Sequence, residues 1–170
     1  MTEVIFLQNF TDNQIFEMLY KSKPDAMANI TGSNSYPDIN GTLKLYQTDT
    51  GVYAVALVYG LPKGINKCNK PVFAMHIHNG AGCLGTNEDP FADAGTHYNP
   101  DNCSHPFHAG DLPPLFSNNS FAWTAFLTDR FKVTDVAELP VIVHAKPDDF
   151  TTQPSGNSGE KIACGIIEPV

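Results

Sequence analysis

Charge is scarce in this chain of 170 residues: Asp, Glu, Lys and Arg together make up 16% of it, against roughly 25% in an average globular protein. Cations are the scarcest, with 10 Lys and Arg against 18 Asp and Glu, and the net charge is −8. Such a surface repels phosphate backbones and anionic lipid, so nucleic acid and membrane surfaces are disfavoured as partners. No apolar run approaches the ~20 residues that a membrane helix needs. The opening residues, Met1-Thr2-Glu3-Val4-Ile5-Phe6-Leu7-Gln8, lack the basic region and small-residue cleavage site of a secretory signal. A cytoplasmic protein is the expectation, or a secreted or periplasmic one whose leader has been removed. Four cysteines, Cys68, Cys83, Cys103 and Cys164, are too few for a disulfide-stapled miniprotein, and spacing does not choose among their pairings. Histidine is absent from the first 75 residues; all six lie between residues 76 and 144.

What is present suits a β protein. Hydrophobic residues make up 42%, enough for a core, and the length fits one domain of ordinary size. Thirteen glycines and thirteen prolines point to many turns and short strands. One short helix is expected over residues 11–22: Thr11 and Gln14 have capping-box spacing, Ile15, Met18 and Leu19 form a stripe, and Pro24 follows. Beyond it, Leu43 and Leu45 alternate with Lys44 and Tyr46, a turn falls at Thr48-Asp49-Thr50-Gly51, and Val52 to Tyr59 completes a hairpin. Further strands are expected at Val72 to His78, Phe121 to Leu127, Val141 to Ala145 and Ile162 to Ile167. Long Gly-, Pro-, Asn- and Asp-rich stretches, 79–120 and 146–161, separate them. An all-β sandwich or barrel with functional loops follows.

The histidines carry the chemistry. In His76-Ile77-His78 the two imidazoles lie on one face of a strand, about 6.6 Å apart along it, and can converge on one metal while Ile77 faces the other way. Taken alone, the pair reads as a chance alternation on an exposed strand. His144 ends the apolar run Val141-Ile142-Val143 and on its own reads as a structural histidine. His97, His105, His108 and Asp111 fall within fifteen residues of loop-like sequence. Three imidazoles and one carboxylate form a closed tetrahedral set suited to structural zinc, with no position left for water; the bland alternative is a polar surface loop. No His-Glu-x-x-His is present, so zinc hydrolysis has no evident general base. His76, His78 and His144 then form a second, imidazole-rich group of the kind that suits copper.

The order His76-Ile77-His78, Gly95-Thr96-His97-Tyr98-Asn99-Pro100, His105, His108-Ala109-Gly110-Asp111, Val143-His144 and Ala163-Cys164-Gly165-Ile166-Ile167 strongly resembles the copper,zinc superoxide dismutases. The resemblance runs from about Ile30 to Ile167 and is dense after Val72. It implies an eight-stranded antiparallel Greek-key β-barrel over residues 25–170, with residues 1–24 as an extension carrying the short helix. Copper would be held by His76, His78, His97 and His144, and zinc by His97, His105, His108 and Asp111. His97 would then bridge both metals. Asp148 matches the family's carboxylate that links a copper histidine to a zinc histidine, in keeping with the need to orient metal-bound imidazoles. Cys83 and Cys164 match its intrasubunit disulfide; Cys68 and Cys103 are left over, and a second bridge between them is slightly favoured.

The reaction implied is a redox ping-pong with superoxide as substrate: one superoxide reduces Cu(II) and leaves as oxygen, and a second reoxidises Cu(I) and leaves as peroxide. His97 would supply a proton. Lys161 stands where the family has an arginine, three residues before the final cysteine, and keeps the charge while losing the planar multi-donor fork. Weaker anion docking and a more open cleft are expected, because the loops from His97 to Asp111 and from Asp149 to Lys161 are short. Ala74-Met75 replaces the usual Gly-Phe, a packing change. A homodimer is compatible with the family, although no face of the barrel is marked for pairing. The competing reading is a non-catalytic carrier of copper and zinc on the same fold.

Overall fold

The structure, a computed structural model, describes residues 23–66, 68 and 70–170. The helix expected over residues 11–22 lies outside the described residues. Nine strand segments are formed: β1 (Ala26–Gly32), β2 (Asn40–Thr48), β3 (Gly51–Tyr59), β4 (Val72–Phe73), β5 (Met75–Ile77), β6 (Leu115–Phe116), β7 (Phe121–Thr128), β8 (Pro140–His144) and β9 (Lys161–Pro169). All pairings are antiparallel, in one curled sheet of order β5-β8-β9-β1-β2-β3-β7 and a short β4-β6 pair.

The expected Val72–His78 strand is split at Ala74. Val72 and Phe73 pair with β6, whereas Met75 to Ile77 pair with β8. Between them Ala74 bonds to the end of β8 and the residues just after it: its N–H donates to the Lys146 carbonyl at 2.8 Å, and its own carbonyl accepts from His144 N–H at 2.9 Å. One strand thus passes from one side of the barrel to the other. Counting β4 and β5 as that single strand gives the eight strands of the expected barrel.

Alternation along the strands decides what lies inside. Leu43 and Leu45 of β2, Val52, Ala54, Ala56 and Val58 of β3, and Val141 and Val143 of β8 point into one core with Phe73, Met75, Leu115 and Ile162. Burial of each large side chain stabilises the fold by about 1.5–3 kcal/mol before entropic costs. The β2–β3 hairpin turns where expected, its Thr48 hydroxyl donating to the Gly51 carbonyl at 2.9 Å. A smaller cluster of Phe91, Ala94, Ile142 and Cys164 packs around Cys83. There the Cys83–Cys164 disulfide, with a Cα–Cα distance of 5.7 Å, fastens the loop after β5 to β9.

The anticipated bridge between Cys68 and Cys103 is not formed: both are exposed free thiols. Cys68 lies in the stretch leading to β4, where its N–H donates to Asn66 Oδ1 at 2.9 Å. Cys103 is held in the loop before His105, its N–H and carbonyl both bonded to the Asn99 amide. Two separately folded loops hold the two thiols. No helix among the described residues is long and apolar enough to cross a membrane.

Candidate metal centre

Strand register brings the first group together. His76 and His78 belong to the β5 edge, with Ile77 between them buried in the core, and His144 ends β8 beside β5. A bridge between His78 and His97 carries the 95–111 loop onto the same end of the barrel. His76, His78, His97 and His144 are buried, and each offers a ring nitrogen within 4.8 Å of the others. His97, His105, His108 and Asp111 make a second buried group on the same terms. His97 is common to both.

The outward nitrogens are already engaged, which fixes where the inward ones point. A carbonyl oxygen only accepts, so His78 Nδ1 donates to the Gly95 carbonyl at 3.0 Å and His144 Nδ1 to the Gly159 carbonyl at 3.3 Å. Asp148 accepts from His76 Nε2 at 2.9 Å and from His105 Nε2 at 2.8 Å, one ring on each carboxylate oxygen. These bonds and the Phe150 N–H hold its carboxyl low, at about 2, although burial pushes the other way. Asp148 is therefore an ionised acceptor, and both rings keep a free Nδ1 lone pair. Burial and neighbouring imidazoles lower His78 to about 2 and His144 to about 3, so both rings are neutral.

Three buried side-chain polar atoms among the described residues have no hydrogen-bond partner: His76 Nδ1, His97 Nε2 and His105 Nδ1. Such orphans are costly unless something satisfies them. The first two belong to the all-histidine group. The third lies 3.0 Å from Asp111 Oδ2 without a hydrogen bond to it. Imidazole nitrogens and a carboxylate form a donor set for divalent metals, nitrogen-only in one group and N₃O in the other; His97, common to both, offers a lone pair from each ring nitrogen only when the ring carries no proton.

A family model described as copper/zinc superoxide dismutase matches residues 39–167. The chain belongs to the copper/zinc superoxide dismutase family. It is 33% identical over 152 residues to the copper-zinc superoxide dismutase of Legionella pneumophila, covering 85% of this chain and 87% of that one. The fold is that of the Cu/Zn superoxide dismutase from Brucella abortus, with a TM-score of 0.69 at 22% identity over 84% of this chain and 99% of that one. A SOD-like protein from Bacillus subtilis gives a TM-score of 0.66 at 25% identity over 82% and 96% of the two chains. Copper and zinc are the metals of this superoxide dismutase family, and the orphaned atoms of the two groups fit them.

Three supporting residues around this superoxide dismutase-type centre were not legible in the sequence. Arg130, after β7, donates from Nη1 to the carbonyls of Pro106, His108 and Asp111 at 3.1, 3.2 and 3.3 Å. It clips the second group's loop to the barrel. Gly156, at φ +66, sits so close that a Cβ there would collide with Asp148 Oδ1; a side chain would push apart the Asp148–His105 contact. Asp89, in the loop after the disulfide, receives Lys161: Nζ lies 2.7 and 2.9 Å from its two carboxylate oxygens. Lys161 lines a cleft of about 660 Å³ with His78, His97 and His144, as an anion guide requires, but it is ion-paired there. No signal announces Asp89, which is 72 residues from Lys161 in the chain.

Proposed function

We propose that this chain disproportionates superoxide, with copper held by His76 Nδ1 and by Nε2 of His78, His97 and His144. In the same reading zinc is held by Nδ1 of His97, His105 and His108 and by a carboxylate oxygen of Asp111. The observation that carries it is His97, whose Nε2 is buried without a partner among the first group. Its Nδ1 lies on the other side, 2.7 Å from Asp111 Oδ1 and 3.4 Å from His108 Nδ1. Copper, when bound, supplies the one-electron cycling between Cu(II) and Cu(I), and zinc adds charge without redox chemistry.

The protein's own groups do the rest. His97 Nε2 takes up one proton from solvent and passes it to the departing peroxide, whose second proton comes from solvent directly, while Nδ1 stays anchored on the Asp111 side. The Gly95 and Gly159 carbonyls keep His78 and His144 in the tautomer that presents Nε2. Asp148 ties His76 to His105, so the two groups keep one relative position. Lys161 is the one Lys or Arg among the described residues lining the cleft, and it meets the anion on its way in.

The test is superoxide decay with purified protein loaded with copper and zinc, beside His97→Gln. Rapid decay with one copper and one zinc per chain, lost in the variant, supports the reading. Full loading without decay would count against it.

A further inference from the structure

The mouth of the cleft carries an unusual balance of charge for a site that receives an anion. Its lining includes Glu88, Asp89 and Glu160 against the single cation Lys161, in a chain of net charge −8. Glu160 accepts a hydrogen bond from the Tyr36 hydroxyl at 2.6 Å. Asp89 takes the Lys161 ammonium with both carboxylate oxygens, at 2.7 and 2.9 Å. The lysine side chain is only 17% exposed, whereas Asp89 is 49% exposed. The carboxylate is thus the more exposed of the two charges, and both line the cleft that an arriving anion enters.

Asp89 is also well placed to hold that position. Lys161 opens β9, three residues before Cys164, and Asp89 follows Cys83 by six residues on the facing loop. The disulfide and the ion pair fasten the same loop to the same strand.

We propose that Asp89 determines how strongly this site draws in its anionic substrate. It positions the Lys161 ammonium at the cleft and offsets its charge, so that superoxide enters with weak electrostatic guidance. The inference rests on the dismutase reading. Focusing by free charge in a cleft changes on-rates by about 10- to 1,000-fold, so releasing one half-buried cation from its counter-ion has a measurable effect.

The experiment compares wild type, Asp89→Asn, Asp89→Glu, Lys161→Gln and the Asp89→Asn/Lys161→Gln double variant, all loaded with copper and zinc to equal content. At low ionic strength Asp89→Asn raises kcat/KM for superoxide about two- to five-fold. That gain fades as salt shortens the Debye length from about 30 Å at 0.01 M to about 3 Å at 1 M. Asp89→Glu stays near wild type. Lys161→Gln leaves the Asp89 carboxylate uncompensated at the cleft and lowers kcat/KM, and the double variant shows no gain over wild type. A rate that falls or stays level in Asp89→Asn, or a gain indifferent to salt, overturns the proposal.

A second readout needs neither turnover nor metal. Carbamylation of Lys161 by cyanate, a small anion, is followed by peptide mass spectrometry in the metal-free protein, with exposed Lys63 and Lys132 as references. Lys161 reacts faster relative to the references in Asp89→Asn than in wild type. Equal rates overturn the proposal. An inactive wild type with faster Lys161 carbamylation in the variant would instead locate the failure in the dismutase reading.

Discussion

His78 and His144 present their Nε2 atoms to each other at 3.3 Å, although each ring spends its one proton on a main-chain carbonyl. Two lone pairs facing at that distance do not form a hydrogen bond, and they repel unless a cation lies among them. The arrangement is held by β5–β8 pairing and by the Gly95 and Gly159 carbonyls, so the centre is preorganised by the barrel.

The same burial makes the metal-free protein sensitive to acid. His78 and His144 titrate at about 2 and about 3 in the folded chain, against about 6.5 when unfolded. The unfolded state then binds more protons between those limits, so stability is fully present above about pH 6.5 and declines as pH falls towards 3. Each group contributes a slope of up to about 1.4 kcal/mol per pH unit. Thermal unfolding midpoints of the metal-free protein should drop steadily from about pH 6.5 downwards, while the metal-loaded protein resists until protons displace the metals.

Asp148→Asn leaves one accepting oxygen where two rings need one each. Either His76 or His105 loses its acceptor, and the two groups lose their common tether. Retention of both metals against a competing chelator should fall about 10- to 100-fold. A loss confined to one metal would show that Asp148 serves one group only.

Arg130→Ala removes the donor shared by the Pro106, His108 and Asp111 carbonyls. The 105–111 loop loosens while β5 and β8 are untouched. Zinc release to a chelator should accelerate about ten-fold, by analogy with the loss of other groups that orient metal ligands, with copper retention nearly unchanged. Equal acceleration of both metals would show that Arg130 supports the whole barrel end.

Much of the centre was legible because its residues are rare and ordered along the chain. His76-Ile77-His78 carries its own strand geometry, and Ile77 does face the core. The hairpin of β2 and β3 was announced by Leu43 and Leu45 alternating with polar positions. β1 was not, because Ala26 and Ala28 are small and poor strand formers; they are buried through pairing with β2 and β9. β6 is two residues long, too short for any period. The break at Ala74 is likewise invisible, since both halves are apolar and only tertiary pairing separates them. The Asp89–Lys161 pair and the Arg130 clip join loops distant in sequence, and Cys68 and Cys103 stay apart because each belongs to a different loop.

The most direct measurement follows superoxide supplied in large excess over copper- and zinc-loaded protein, with oxygen and hydrogen peroxide counted as products. The account predicts complete consumption over many turnovers, one oxygen and one peroxide per two superoxide, and loss of this catalysis in His78→Ala. Consumption that stops after about one equivalent per copper would contradict it and identify a metal carrier.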